Sequence, residues 1–337
     1  MTVKVRVGGV WKSITQLRPR IGGVYKQIAS VFVNVVGVWR STAQSIIQQW
    51  ALADVGNANG IAVDAVGNVY VAYDSPVGTI SVRKLNSAGV QVWALTDVDW
   101  ARSIAVDAAG NVYVAYYSMV RKLNSAGAEV WSKTDVERAY DIAVDTSGNV
   151  YVAYRNEGGS TTVRKLNSAG VQQWALFDVG EASSIAVDAA GNVYVAYGNL
   201  VGSTTVRKLN SAGVQQWALF DVGNAYGIAV DAVGNVYVAH GNSAGSTTVR
   251  KLNSAGVQQW ALFDVGNANN IAVDAAGNVY VAYYSMVRKL NSAGAEVWSK
   301  TDVERAYDIA VDTSGNVYVA HYNEGGVTTV RKLNPIW

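Results

Sequence analysis

The sequence predicts an all-β protein in which seven near-copies of a four-stranded unit close into a ring behind a short run of β-hairpins. Three observations predict it. The letters Ile-Ala-Val-Asp start at 61, 104, 142, 185, 228, 271 and 309, with spacings of 43, 38, 43, 43, 43 and 38. Seven tryptophans (Trp50, Trp93, Trp131, Trp174, Trp217, Trp260 and Trp298) keep step with them. The two ends of the chain carry complementary fragments of one unit. A period near 40 with four short β-like runs is the pattern of a propeller blade, so the expected architecture is a seven-bladed β-propeller.

The first 45 residues stand apart. Gly8-Gly9-Val10-Trp11-Lys12-Ser13-Ile14, Gly22-Gly23-Val24-Tyr25-Lys26-Gln27-Ile28 and Val36-Gly37-Val38-Trp39-Arg40-Ser41-Thr42 follow one another at intervals of 14 residues. Alternating valines around a glycine pair are the mark of small hairpins turned on glycine. Every acidic residue lies at or after Asp54, while the first 53 residues carry seven basic ones, so the overall charge of +2 divides into +7 and −5. A basic head on a mildly acidic body indicates two modules, residues 1–45 and 46–337.

Within one unit, Ser184–Asp188 is short and β-branched, Asn192–Tyr197 alternates as a half-buried strand does, and Thr204–Asn210 and Val214–Phe220 complete the set. Asp188-Ala-Ala-Gly-Asn192 and Asn210-Ser-Ala-Gly213 place glycine where a tight turn needs positive φ. No 3.6-residue stripe persists for three turns. The seventh unit ends after its third strand, Thr328–Leu333, and Ile46-Ile47-Gln48-Gln49-Trp50-Ala51-Leu52 matches the missing fourth. The N-terminal strand is therefore expected to close the ring, which also removes an aggregation-prone open edge.

The motifs Ile-Ala-Val-Asp-x-x-Gly-Asn-Val-Tyr-Val-Ala and Arg-Lys-Leu-Asn-Ser-Ala-Gly resemble those of the bacterial seven-bladed β-propeller repeat family, relatives of the NHL-type propellers, over residues 46–334. The Val-x-Val-Gly-Gly-Val-Trp-Lys pattern looks like short repeats of tailed-phage tail and fibre proteins. That second resemblance implies a virion setting, a tail or surface appendage, and otherwise an extracellular one. It gives Trp11, Lys12, Tyr25, Lys26, Trp39 and Arg40 an anchoring role toward other virion proteins, and it is compatible with a homo-oligomer.

The composition excludes several classes of chemistry. There is no cysteine, hence no disulfide or thiolate metal site. No apolar run approaches the roughly 20 residues of a spanning helix, so no membrane insertion is expected. Arg18, Pro19 and Arg20 interrupt any signal-peptide core, which argues against Sec export. The acidic body argues against nucleic acid. No phosphate loop, metalloprotease helix or nucleophile elbow occurs, and no cofactor or metal is implied.

The repeated polar residues read as scaffold. The seven aspartates at Asp64, Asp107, Asp145, Asp188, Asp231, Asp274 and Asp312 could ring a channel, but each begins a turn whose amides it should accept. The Arg-Lys pairs point to opposite faces of their strands, and the Trp series suits blade-to-blade packing better than a sugar platform. His240 and His321 occupy a strand-end position that is otherwise Tyr73, Tyr116, Tyr154, Tyr197 and Tyr283, which makes them packing variants. Streptogramin-lyase-like propellers are the enzyme relatives this resemblance brings in, and they would require a His/Glu constellation that is not evident here.

Specificity must then lie where the copies disagree. The connections into Ile-Ala-Val-Asp, and those between second and third strands, vary and should emerge on one face. There the candidate ligand or partner residues are Asn57, Asn59, Trp100, Arg102, Arg138, Tyr140, Glu181, Asn224, Tyr226, Asn267, Asn269, Arg305 and Tyr307. Aromatic, Arg and amide side chains on loops of a rigid frame suit recognition of a polar surface. The expectation is a non-enzymatic structural or adhesin protein that binds a host-surface glycan or protein. A free lectin-like carbohydrate-binding propeller is the second reading, and a lyase- or hydrolase-type enzyme the third.

Overall fold

The computed structural model describes residues 4–7, 10–13, 20–21, 24–25, 32–35, 38–41, 46–52, 57–74, 80–96, 100–155, 161–177, 181–198, 205–219, 224–241, 247–263, 268–303, 305–322 and 328–335, with backbone alone up to residue 47 and at some strand ends. Three hairpins come first. Lys4–Val7 pairs antiparallel with Val10–Ser13, Arg20–Ile21 with Val24–Tyr25, and Phe32–Val35 with Val38–Ser41. Each register leaves two residues between the strands, as the glycine spacing predicts.

Seven four-stranded antiparallel meanders follow. Blade 2, for example, runs through Ala101–Val106, Val112–Tyr116, Val120–Leu123 and Glu129–Lys133. The first strands of consecutive blades lie side by side around the axis, and that of blade 7 (Ala306–Val311) meets that of blade 1 (Asn57–Val63). Val-Tyr-Val-Ala followed by Tyr, or by His in blades 5 and 7, forms every second strand. Because each blade is sandwiched between two others, that strand is buried on both faces, as at Val112–Tyr116. This is why the sequence there is apolar at every position although the strand is antiparallel.

The ring closes as the sequence predicts. Ile46–Leu52 pairs with Thr328–Pro335 as the fourth strand of blade 7, with Trp50 opposite Lys332. The closing interface, between blades 7 and 1, is chemically the same as those that join blades 1 to 6. Trp50 Nε1 and Lys332 Nζ both donate to the Ser87 carbonyl of blade 1, each at 3.2 Å. At the next interface Trp93 and Lys84 donate to the Ser125 carbonyl of blade 2. The tryptophans are therefore inter-blade wedges. At Gly127, where φ is +87°, a Cβ would sit 3.0 Å from the Trp93 indole, so glycine is required both for the turn and for the ring above it.

The repeated aspartates cap their own turns. Asp145 accepts from the amides of Ser147 and Asn149, from the Asn149 side chain and from the Tyr151 hydroxyl. Burial opposes its ionisation, but these donors outweigh burial and hold the carboxyl below the ordinary range. The Arg-Lys pairs serve the frame as well. Lys84, Lys122, Lys165, Lys208, Lys251 and Lys332 each donate to a serine carbonyl of the next blade, while Arg121 and Arg288 pair with Glu129 and Glu296 on the adjacent strand. His240 and His321 are buried at the Tyr position, as packing variants should be.

Candidate functional site

Two ends of each blade differ chemically. The Asp-x-x-Gly-Asn and Asn-Ser-Ala-Gly turns gather on one face of the disc. The starts of the first strands and the ends of the second strands meet on the other, as where Ala101 pairs with Tyr116 in blade 2. The long connections between second and third strands, at 75–79, 156–160, 199–204, 242–246 and 323–327, lie outside the described residues. In blades 2 and 6 the connection is a tight turn, closed by Tyr116 N to Met119 O and by Tyr283 N to Met286 O, both 2.8 Å.

Every first strand enters the disc through a β-bulge. In blade 1 the register jumps from Ala58–Tyr73 to Gly60–Ala72, so Asn59 has no cross-strand partner, and the same slip recurs in the other six blades. A bulge re-aims the residues beside it. It divides the four-residue entry into tiers. An outer position holds Asn57, Trp100, Arg138, Glu181, Asn224 and Arg305 among the described residues; then comes an alanine, buried in every blade. The bulged position is Asn59, Arg102, Tyr140, Ser183, Tyr226, Asn269 or Tyr307, and the last faces the axis. The invariant alanine between variable residues is the trace of this bulge in the sequence.

Among the described residues the only non-glycine residues at positive φ are Trp100 (58°), Arg138 (44°) and Arg305 (44°), all at the outer position of the variable face. For side chains this bulky the left-handed region costs on the order of 1–3 kcal/mol. Around two of them the predicted residues converge. Trp100 meets Tyr117 edge-on with centroids 5.4 Å apart. The Arg102 guanidinium lies 5.8 Å from the Tyr117 ring and 5.6 Å from Tyr140, and Arg138 lies 5.5 Å from Tyr117. Sequence reasoning missed Tyr117. Its position in the shortened turn between second and third strands of blade 2 was the available signal.

The other predicted residues are more dispersed. Arg305 lies 5.3 Å from the Tyr284 ring, Tyr226 and Tyr307 are exposed, and Asn57 is exposed beside the partly buried Asn59. Asn269 Nδ2 donates to the Ala306 carbonyl at 2.6 Å and so bridges blades 6 and 7. Glu181 and Asn224 begin first strands, and their side chains lie outside the described residues, as do Asn267 and Lys26 altogether. Trp11, Lys12, Tyr25, Trp39 and Arg40 lie in the second strands of their hairpins, again without described side chains.

A second group not singled out from the sequence is the axial tier: Gly60, Ser103, Asp141, Ser184, Gly227, Asn270 and Asp308. Asp141 accepts from Ser103 Oγ (2.6 Å), Ser184 Oγ (2.9 Å), Ile185 N (2.8 Å) and its neighbour Ile142 N (2.9 Å). Asp308 accepts from Ile61 N at 2.7 Å, Ile309 N at 2.8 Å and the Asn270 amide. The two carboxylates thus join blades 2 to 4 and blades 6, 7 and 1 at the inner edges of their first strands. Glycine at 60 and 227 leaves the required room, since a Cβ at Gly227 would meet Asn270 Oδ1 at 2.6 Å.

No cation faces either carboxylate among the described residues. Asp308 is partly open toward the axis, yet burial pushes its pKa up to about 7 against the pull of its amide donors, with the Asp141 charge adding to the rise. Asp141 moves up for the same first reason, desolvation, and its four donors only moderate it. Among the described residues no group of three or more His, Cys, Asp or Glu side chains is arranged to hold a metal ion.

No protein-family model and no curated protein matches the chain. Solved structures do. The WD40 β-propeller domain of Doa1 superposes with a TM-score of 0.69 at 10% identity, covering 86% of this chain and 97% of that one. The Neurospora crassa Pan2 WD40 domain gives 0.65 at 11% identity, covering 86% and 96%. At such identity the likeness is one of architecture and does not bear on NHL kinship or on a phage tail. The chain is a seven-bladed all-β propeller of repeated units.

Proposed function

We propose that the chain is a non-enzymatic binding protein that recognises its partner with the variable face of the propeller and attaches through residues 1–45 to a virion, at a tail or surface appendage. The observation that carries the recognition half is the placement of Trp100, Arg138 and Arg305. Three bulky side chains held at positive φ, all on the face where the copies differ, are an arrangement that packing alone does not call for. The buried carboxylates do not favour an enzyme, because each is occupied by the amides and side chains it joins. What supports attachment is the triple Gly-Val-Trp/Tyr-Lys/Arg pattern and the seven basic residues ahead of the first acid. The ring does not need the rest of that segment, since its closing strand begins at Ile46.

Deleting residues 1–45 tests attachment. The shortened chain should fold with the parent's circular dichroism and thermal transition, yet no longer sediment with particles that carry the full chain. Undiminished sedimentation refutes the assignment of roles. For recognition, Tyr226→Ala and Arg305→Ala should weaken partner binding without altering the transition temperature by more than about 2 °C, as expected for exposed positions.

A further inference from the structure

We propose that Trp100, Arg102, Tyr117, Arg138 and Tyr140, at the junction of blades 2 and 3, form a site for a carboxylate-bearing sugar residue of a glycan. The inference rests on the recognition reading above and gives that face a ligand class.

The charge pattern comes first. Two guanidiniums lie within 6 Å of one ring centroid, Tyr117, and neither has an ion-pair partner among the described residues. Frame arginines of the same two blades behave differently. Arg121 pairs with Glu129 at 3.0 Å and Arg164 with Asp135 at 2.7 Å. Like charges gathered on one ring, with carboxylates used elsewhere, leave a place for an external anion, and the planar guanidinium fork matches a carboxylate best.

The surroundings choose the kind of anion. Trp100 is 47% exposed and packs against Tyr117 at an interplanar angle of 80°, so a large part of the residue is open next to the cations. A pyranose presents an apolar C–H face that an exposed indole covers, while its carboxylate reaches sideways to the arginines. An acidic peptide bound in extended form would look instead for an unpaired strand edge. The free edges of these blades belong to fourth strands such as Glu129–Lys133 and Gln172–Leu176, at the circumference and not on this face. The backbone is committed as well: Tyr117 N donates to the Trp100 carbonyl at 3.2 Å and Arg155 N to that of Arg138 at 3.3 Å, which holds both left-handed residues in place. A site kept at a conformational cost before ligand arrives loses less entropy on binding.

The full chain is titrated by saturation-transfer NMR and calorimetry with methyl glycosides of glucuronic, galacturonic and N-acetylneuraminic acid, and with the neutral glucoside and galactoside. At least one acidic glycoside should bind about tenfold more tightly than the neutral sugars, and the preference should shrink as salt rises. The double substitution Trp100→Asn with Arg102→Asn should abolish it. That variant gives the loop the residues of its own repeat at 267 and 269, so folding is expected and is checked by an unchanged thermal transition. Equal binding of acidic and neutral sugars, or a preference that survives the double substitution or Arg138→Gln, overturns the proposal. So does selective binding of poly-glutamate in place of the sugars. If a ligand binds and responds to Tyr226→Ala or Arg305→Ala but not to changes at 100, 102 and 138, this site is refuted while recognition by the variable face stands. If nothing in a glycan array binds the full chain, and no partner depends on Tyr226 or Arg305, both readings fail.

Discussion

Residues 104–153 and 271–320 are identical, yet they build different surfaces. Both copies place an arginine near the ring at the tight turn, Arg138 to Tyr117 at 5.5 Å and Arg305 to Tyr284 at 5.3 Å. In the first copy Trp100 and Arg102 lie over that pair, and Tyr117 and Tyr140 are partly covered. In the second copy the matching positions are Asn267 and Asn269, and Tyr284 and Tyr307 stand 49% and 41% exposed. Just upstream of the identical stretch the sequences part, with Trp100, Arg102 and Ser103 in the first copy against Asn267, Asn269 and Asn270 in the second. The scaffold repeats, and the face is written in the entry bulges, where a substitution changes a side chain without touching a ladder hydrogen bond.

The largest expected break in the comparison is at the axis, where the copies share an aspartate with different neighbours. Asp141 receives two hydroxyls and two amides, whereas Asp308 receives two amides and one side-chain amide. An unfolded aspartate titrates near 4, and Asp308 is pushed up to about 7 in the fold. Between these values the folded state holds the extra proton, so stability must fall as pH rises from about 4 to 7 and level off on either side. The loss should reach a few kcal/mol. Asp308→Asn, which places at 308 the residue its repeat carries at 270, should flatten that slope in urea melts run from pH 4 to 8. A slope unchanged in the variant would remove the axial explanation.

The fold was open to sequence reasoning because each of its rules is repeated. Glycine at 127 is called for by both a left-handed turn and an indole, and Trp50 stands one period ahead of Trp93, so the ring and its closure follow from spacing. The candidate site was half legible. Trp100, Arg102, Arg138 and Tyr140 stand out as departures from the repeat. Tyr117 does not, since it follows a strand ending in tyrosine and reads as its continuation. The axial tier was hidden for another reason: Asp141 and Asp308 look like further loop variation until the bulge at Tyr140 and Tyr307 turns them inward. Bulges are set by tertiary register, which no local pattern records.

A smaller contrast separates the tryptophans of the two copies. Trp131 Nε1 donates to the Ser168 carbonyl of blade 3 at 3.1 Å. Trp298, only 6% exposed, has its Nε1 without an acceptor among the described residues. Blade 7 does not present the Asn-Ser-Ala-Gly turn that would supply one, because its third strand runs on to Pro335 and pairs with Ile46. Trp→Phe removes the same atoms at both sites and a hydrogen bond at only one. Trp131→Phe should therefore cost about 1 kcal/mol more than Trp298→Phe in urea unfolding. Equal costs would mean that the inter-blade tryptophans act by packing alone.

The gentlest test builds the first surface onto the second copy. Asn267→Trp with Asn269→Arg gives blade 6 the first three entry residues of blade 2 while Asn270, Tyr284, Arg305 and Tyr307 stay in place. If the two upstream residues decide the site, this variant should bind two acidic glycosides per chain where the parent binds one, with affinities within about threefold, a gap of roughly 0.7 kcal/mol. The bridge from Asn269 to the Ala306 carbonyl is lost in the exchange, so stability should drop by about 1 kcal/mol. A stoichiometry that stays at one in the folded variant would show that the identical 50 residues are not equivalent frames, and that the ring's position, not its entry residues, selects the face.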